Sequence, residues 1–152
     1  MVRRIMPFGL SLVLCSVSCG DPLGADRDQL AESQARWGAQ GVATYEFDVR
    51  ISCFCVAASY GSVTISVDNR QVVSVVRTDS GTPVDSQYFQ GVLTVERMFA
   101  TLRHFLDAKP AFFTASYDRR WGFPTSLGVD PIRNAADDEY GFTVLAFRTI
   151  TR

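Results

Sequence analysis

A single histidine in 152 residues, His104, removes most routes to metal and nucleophilic chemistry. A closed zinc site needs four ligands, and beyond four cysteines the chain has only this imidazole to offer. His104 falls on the polar side of a predicted helix, away from any Ser, Cys or Asp placed beside it by sequence, and reads as a solvated side chain. A G-x-S-x-G elbow, an H-E-x-x-H pair, a phosphate-binding glycine loop and a dinucleotide fingerprint are all missing. These absences argue against an enzyme and against a resident cofactor. An excess of one charge is missing too: 15 basic and 16 acidic residues leave a formal charge of -1, so no field gathers nucleic acid or anionic lipid. Nor does any apolar run reach the roughly 20 residues of a membrane-crossing helix.

What is present is ordinary globular composition, 47% hydrophobic and 20% charged, enough for one domain with a proper core. Its first twenty residues differ. Arg3 and Arg4 precede an apolar run over 5–17 that ends in small residues, the pattern of an export signal. Ser16, Val17, Ser18 and Cys19 resemble a bacterial lipobox, which implies acylation of Cys19 as the mature N-terminus. An ordinary secretory signal cut nearby is the alternative. The chain divides into a signal segment (1–19), a linker (20–26) and one α+β domain (27–152). Losing Arg3 and Arg4 takes the charge from -1 to -3, so such a domain hangs from a membrane by its lipid rather than lying flat on it. The expected location is the cell envelope, on the periplasmic or extracellular face. The expected partners are the membrane, through the lipid, and an envelope protein, with no nucleic acid.

Along the domain, 27–40 reads as a helix with a thin apolar stripe (Leu30, Ala31, Ala35, Trp37), Asp26 or Asp28 as N-cap, and Gly38 and Gly41 at its end. In "TYEFDVRISCFC" the residues Tyr45, Phe47, Val49, Ile51, Cys53 and Cys55 alternate onto one face, a half-buried strand whose apolar stripe includes both sulfurs. "GSVTISV" and "QVVSVVRT" form a hairpin turning at Asp68 and Asn69, and 79–91 reads as a polar loop. Val95, Met98, Phe99, Leu102, Phe105 and Leu106 recur at helical spacing until Pro110. "FFTASY", "TSLGV" and "GFTVLAFRT" complete the order α-β-β-β-α-β-β-β. This predicts an antiparallel sheet of about six strands with both helices on one face. Each second strand ends in Val-Asp and each third in Arg-Thr, a hint of internal duplication.

Three features hold candidate chemistry. With Cys15 removed and Cys19 acylated, Cys53 and Cys55 are the remaining thiols, and three uses compete: a structural pair, thiol redox chemistry, or a Cu(I) clip. On an extended strand their Cα atoms stand roughly 6.4 to 6.8 Å apart, the upper limit for a disulfide, so a bend near Phe54 is required to join them. The acidic cluster Asp130, Asp137, Asp138 and Glu139, with Asn134, has oxygen ligands for calcium but not the helix-loop-helix spacing; capping and solvation are the competing reading. In "YDRRWGFP", Arg119, Arg120, Trp121 and Phe123 are residue types that anchor interfaces, or Trp121 and Phe123 fold back over the sheet.

Taken together, Trp37, Tyr45, the C-x-C of Cys53 and Cys55, Phe99, Tyr117 with Asp118, the Gly122-Phe123-Pro124 triplet and the late Asp137-Asp138-Glu139 segment resemble a family of small bacterial lipoproteins or secreted domains of unknown function. The likeness spans about residue 30 to the C-terminus. It implies an envelope location and a shared scaffold, and names no activity.

Overall fold

The computed structural model describes residues 21–150, in the order α1 (Gly24–Gln40), β1 (Tyr45–Cys53), β2 (Ser62–Asp68), β3 (Gln71–Arg77), α2 (Val95–Ala108), β4 (Phe112–Tyr117), β5 (Pro124–Asp130) and β6 (Tyr140–Thr149). Residues 1–19, read above as a signal segment, with Cys15 and Cys19, lie outside the described residues. The fold is the α+β arrangement expected from the alternation: one antiparallel sheet in the order β3-β2-β1-β6-β5-β4. Each half is a helix followed by a three-stranded meander, and α2 carries the chain from one sheet edge to the other. Val67-Asp68 closes β2 and Val129-Asp130 closes β5, so the repeated dipeptide falls at matching strand ends.

The core follows from period-two burial. Tyr45, Phe47 and Val49 of β1 are fully buried, in register with the equally buried Val67, Ile65 and Val63 of β2. Over them α2 lays Met98, Phe99, Leu102 and Leu106 at helical spacing, while α1 contributes chiefly Leu30 and Trp37. Each large side chain so buried contributes about 1.5–3 kcal/mol. The opposite face of the sheet carries a polar network over its central strands. Arg148 of β6 donates to Glu46 at 2.8 Å and to Asp48 at 3.1 Å across the strand pair, and Thr64 and Ser66 donate to the same two carboxylates.

Four local expectations are corrected. α1 begins at Gly24, and neither Asp26 nor Asp28 caps it; Asp21 accepts from the Leu23 N–H at 3.1 Å and from Arg27, starting the helix a turn early. Gly38 stays inside the helix, and Gly41, in the left-handed region at φ 64°, ends it. The β2–β3 turn is Asn69-Arg70, both at positive φ as a two-residue hairpin of matching twist requires, because Asp68 still pairs with Gln71. The polar 79–91 segment is not a bare loop. Thr82 and Val84 dock along β3, a 3₁₀ turn spans Ser86–Phe89, and Phe89 is wholly buried, its apolar ring drawing the segment onto the core.

Candidate functional site

At one end of the sheet, β1 stops at Cys53, the chain bends at Phe54, and Cys53 and Cys55 are joined in a disulfide with Cα atoms 5.2 Å apart. The expectation that both sulfurs enter the core fails here. Cys53 is half-buried and Cys55 exposed, as are Phe54 (75%) and Val56 (59%). The cause is the closure itself: shortening the extended spacing to 5.2 Å bends the backbone, and the bend carries the chain out of the sheet. Arg77 then holds the departing segment, its guanidinium donating to the carbonyl oxygens of Tyr60 and Ala58. Beside the disulfide a shallow trough of about 410 Å³ crosses the open sheet face, floored by Ser52, Gly141 and Gly128 and rimmed by Phe112, Asp130 and Glu139.

At the other end, the connection between β4 and β5 is a tight, internally bonded turn. Asp118 Oδ1 accepts from the backbone N–H groups of Arg120 (2.9 Å) and Trp121 (2.6 Å), and Gly122 donates its N–H to the Asp118 carbonyl at 2.9 Å. Gly122 takes φ 88°, and Phe123 turns inward, 4% exposed, its ring 4.3 Å from that of Phe147 and edge-on to Trp37. Phe123 is therefore a core residue and leaves the proposed interaction loop. Trp121 is half-buried against Phe147, with the Arg120 guanidinium 4.8 Å over its ring; Arg119 and Arg120 are exposed. Between this turn and β6 lies an open cleft of about 260 Å³, lined by Asp118, Trp121, Thr125, Leu145 and Ala146. Leu145 stands at a bulge in β6, which puts an apolar side chain, half-exposed, on the cleft wall.

The acidic hairpin does not assemble a cation site. Asp130 accepts from the Ile132 N–H at 3.1 Å, a turn cap, and Asn134 and Asp137 adopt left-handed backbone. Among the described residues no group of three or more His, Cys, Asp or Glu is placed to hold a metal ion, so the calcium reading of Asp130, Asp137, Asp138 and Glu139 is dropped. His104 is exposed beside Phe105. Among the described residues no helix is long and apolar enough to cross a membrane.

One polar constellation went unseen in the sequence. Glu96, in the first turn of α2, accepts from Trp37 Nε1 at 3.1 Å and from the Tyr45 hydroxyl at 3.4 Å, while that hydroxyl accepts from the Val95 N–H at 3.1 Å. Burial raises the Tyr45 hydroxyl well above an ordinary tyrosine, and the Glu96 charge adds to it. The only local signal was an acidic residue following Thr94, the N-cap of α2.

No curated protein matches the chain. A family match does exist, and it covers residues 29–149, taking in Trp37, Tyr45, the C-x-C pair and the Asp118 to Pro124 turn whose geometry is described above. The chain belongs to DUF6174, a family of unknown function.

Proposed function

We propose that this protein is exported, acylated at Cys19, and held at a membrane surface of the cell envelope as a binding module rather than an enzyme. The observation that carries this reading is the Cys53–Cys55 disulfide, which suits an oxidising compartment, behind a leader that runs from Arg3 and Arg4 to Ser18-Cys19. Binding falls to the turn that presents Arg119, Arg120 and the outer face of Trp121 beside an open cleft. Its partner is an envelope protein. Metabolic labelling with a radioactive fatty acid tests the anchor: label should enter the wild type and be lost in Cys19→Ala, which should also leave the membrane fraction. Unlabelled wild-type protein in the soluble fraction would refute the acylated form. For the binding surface, the double variant Arg119→Ala, Arg120→Ala, at two exposed positions, should abolish capture of a partner cross-linked in the native envelope while the melting temperature barely moves; unchanged capture would refute this surface.

A second reading, thiol redox or Cu(I) handling, draws on the exposure of Cys55. Thiol–disulfide exchange with an external dithiol, which is itself oxidised to a disulfide, would convert the pair to two thiols, and only that reduced form, after loss of its protons, supplies thiolates to Cu(I). Mass measurement on protein recovered from its own envelope, with and without reductant and alkylating agent, separates the readings: an oxidised pair that resists mild reduction favours the scaffold, a pair opened by mild reductant favours thiol redox, and a bound copper favours metal handling.

A further inference from the structure

The two edges of the sheet are finished differently. Along β3 the chain covers its own edge: Arg77 donates its backbone N–H to Thr82 at 2.8 Å, Val84 donates to Val75 at 3.0 Å, and Val76 bridges Pro83. Among the described residues β4 has no such cover. It ends the strand order and pairs only with β5, so its outer N–H and C=O groups face away from the sheet. Its sequence, FFTASY, also lacks the devices that keep an edge solitary, having no charge and no proline, with an irregular register only at Ser116/Tyr117.

We propose that β4 pairs with the β4 of a second copy of this chain, antiparallel about a twofold axis through Thr114, so that two sheets join into one. Self-pairing places residues of one face opposite each other, and the strand read against its own reverse is complementary in size. Phe112 meets Ser116, Phe113 meets Ala115, and Thr114 meets Thr114. Every aromatic side chain faces a small one. The faces agree as well: Phe112, Thr114 and Ser116 are exposed on the open face, while Phe113 and Ala115 are half-buried on the helix side. On that helix side there is room. A groove of about 410 Å³ runs between α1 and β4, lined by Gln29, Glu32, Arg36, Ala115 and Tyr117, where the incoming Phe113 would rest over Ala115. The Tyr117 hydroxyl there is buried without a hydrogen-bond partner. Glu32 and Arg36 give the rim both signs of charge, so a copy with the same rim is not repelled. A foreign strand has no reason to match this order of large residues at one end and small ones through the middle; the strand's own reverse does.

Sedimentation of the purified, unprocessed 152-residue chain across a concentration series tests this, with its monomer mass of 16.8 kDa as reference. The expected result is a concentration-dependent dimer, weakened at least about tenfold by Thr114→Lys, which sets two ammonium groups on the axis, and retained by Thr114→Val. Under mild oxidation Thr114→Cys should give a covalent dimer bonded at 114, while Ser126→Cys, on β5 and away from the edge, should not. A chain that stays monomeric without a bond at 114 overturns the proposal. So does a dimer indifferent to Thr114→Lys. A bond from position 114 to Cys15 or Cys19 of the same molecule would assign the edge to the chain's own N-terminal segment, and a strand of another protein trapped at 114 would assign it to that protein; either refutes self-pairing.

Discussion

Gly122 stands against the backbone of Ser33: a Cβ built on it would lie 2.5 Å from the Ser33 carbonyl oxygen and 2.9 Å from the Trp37 nitrogen. The turn after β4 is thus pressed directly onto α1, and it is this contact that seats Phe123 under Trp37. At φ 88° a side chain is strained even before the clash. Gly122→Ala should therefore cost more than about 2 kcal/mol in a urea melt, with the near-ultraviolet signal of Trp37 altered. A variant as stable as the wild type would show that α1 and the turn separate freely.

That contact also marks the limit of what the sequence discloses. The alternation of Tyr45, Phe47 and Val49, and the helical spacing from Val95 to Leu106, were legible because each reports burial against a neighbour through a local period. Gly122 was legible only as a turn residue; its close approach to a helix some ninety positions earlier has no local signature. The same holds for β1 lying between β2 and β6, and for Glu96 meeting Trp37 and Tyr45. At Cys55 the local rule misled. Alternation placed its sulfur in the core, whereas closure of the disulfide bent the strand away. Phe89 was hidden for the opposite reason, one ring in a polar stretch whose composition spoke for a loop.

Tyr45 makes the next prediction. Its hydroxyl is the partner of the buried Val95 N–H, the first donor of α2, which no helical carbonyl can satisfy. Tyr45→Phe keeps the ring stacked between Phe47 and Phe147 but orphans that donor, and should cost about 1–3 kcal/mol. Glu96→Gln keeps an acceptor for Trp37 and should cost less. Equal losses in the two variants, measured by denaturant unfolding, would show that the N–H is not what Tyr45 supports.

Reduction of the disulfide should be a local event. Cross-linking across three residues removes only about 1.6 kcal/mol of chain entropy from the unfolded state, and Cys53 and Cys55 lie outside the buried set. The Cys53→Ser, Cys55→Ser double variant should lose less than about 2 kcal/mol, and amide exchange should quicken over 53–60 while Phe47, Ile65 and Leu102 stay protected. Global unfolding on reduction would contradict this and make the pair the keystone of the fold.

Alkaline pH should expose the buried Tyr45 and the half-buried Tyr117 and Tyr140 together. Burial raises the hydroxyls of Tyr45 and Tyr117, with the charges of Glu96 and Asp26 as lesser causes, and pushes Tyr140 up to about 12. A phenol whose folded value lies above the unfolded one, near 10, favours the native state in its neutral form. That contribution is complete below about pH 10 and is lost as the pH climbs toward the folded value, because the unfolded chain releases its protons first. Tyrosinate absorbance from Tyr45, Tyr117 and Tyr140 should accordingly appear in the same transition as loss of the near-ultraviolet circular dichroism, above pH 10. Tyr140→Phe should move that transition to higher pH, since one ionisation no longer pulls the chain open. Ionisation of all three near pH 10 with the tertiary signal intact would mean that these rings are solvated, and the packing of Tyr140 on Phe105 would have to be redrawn.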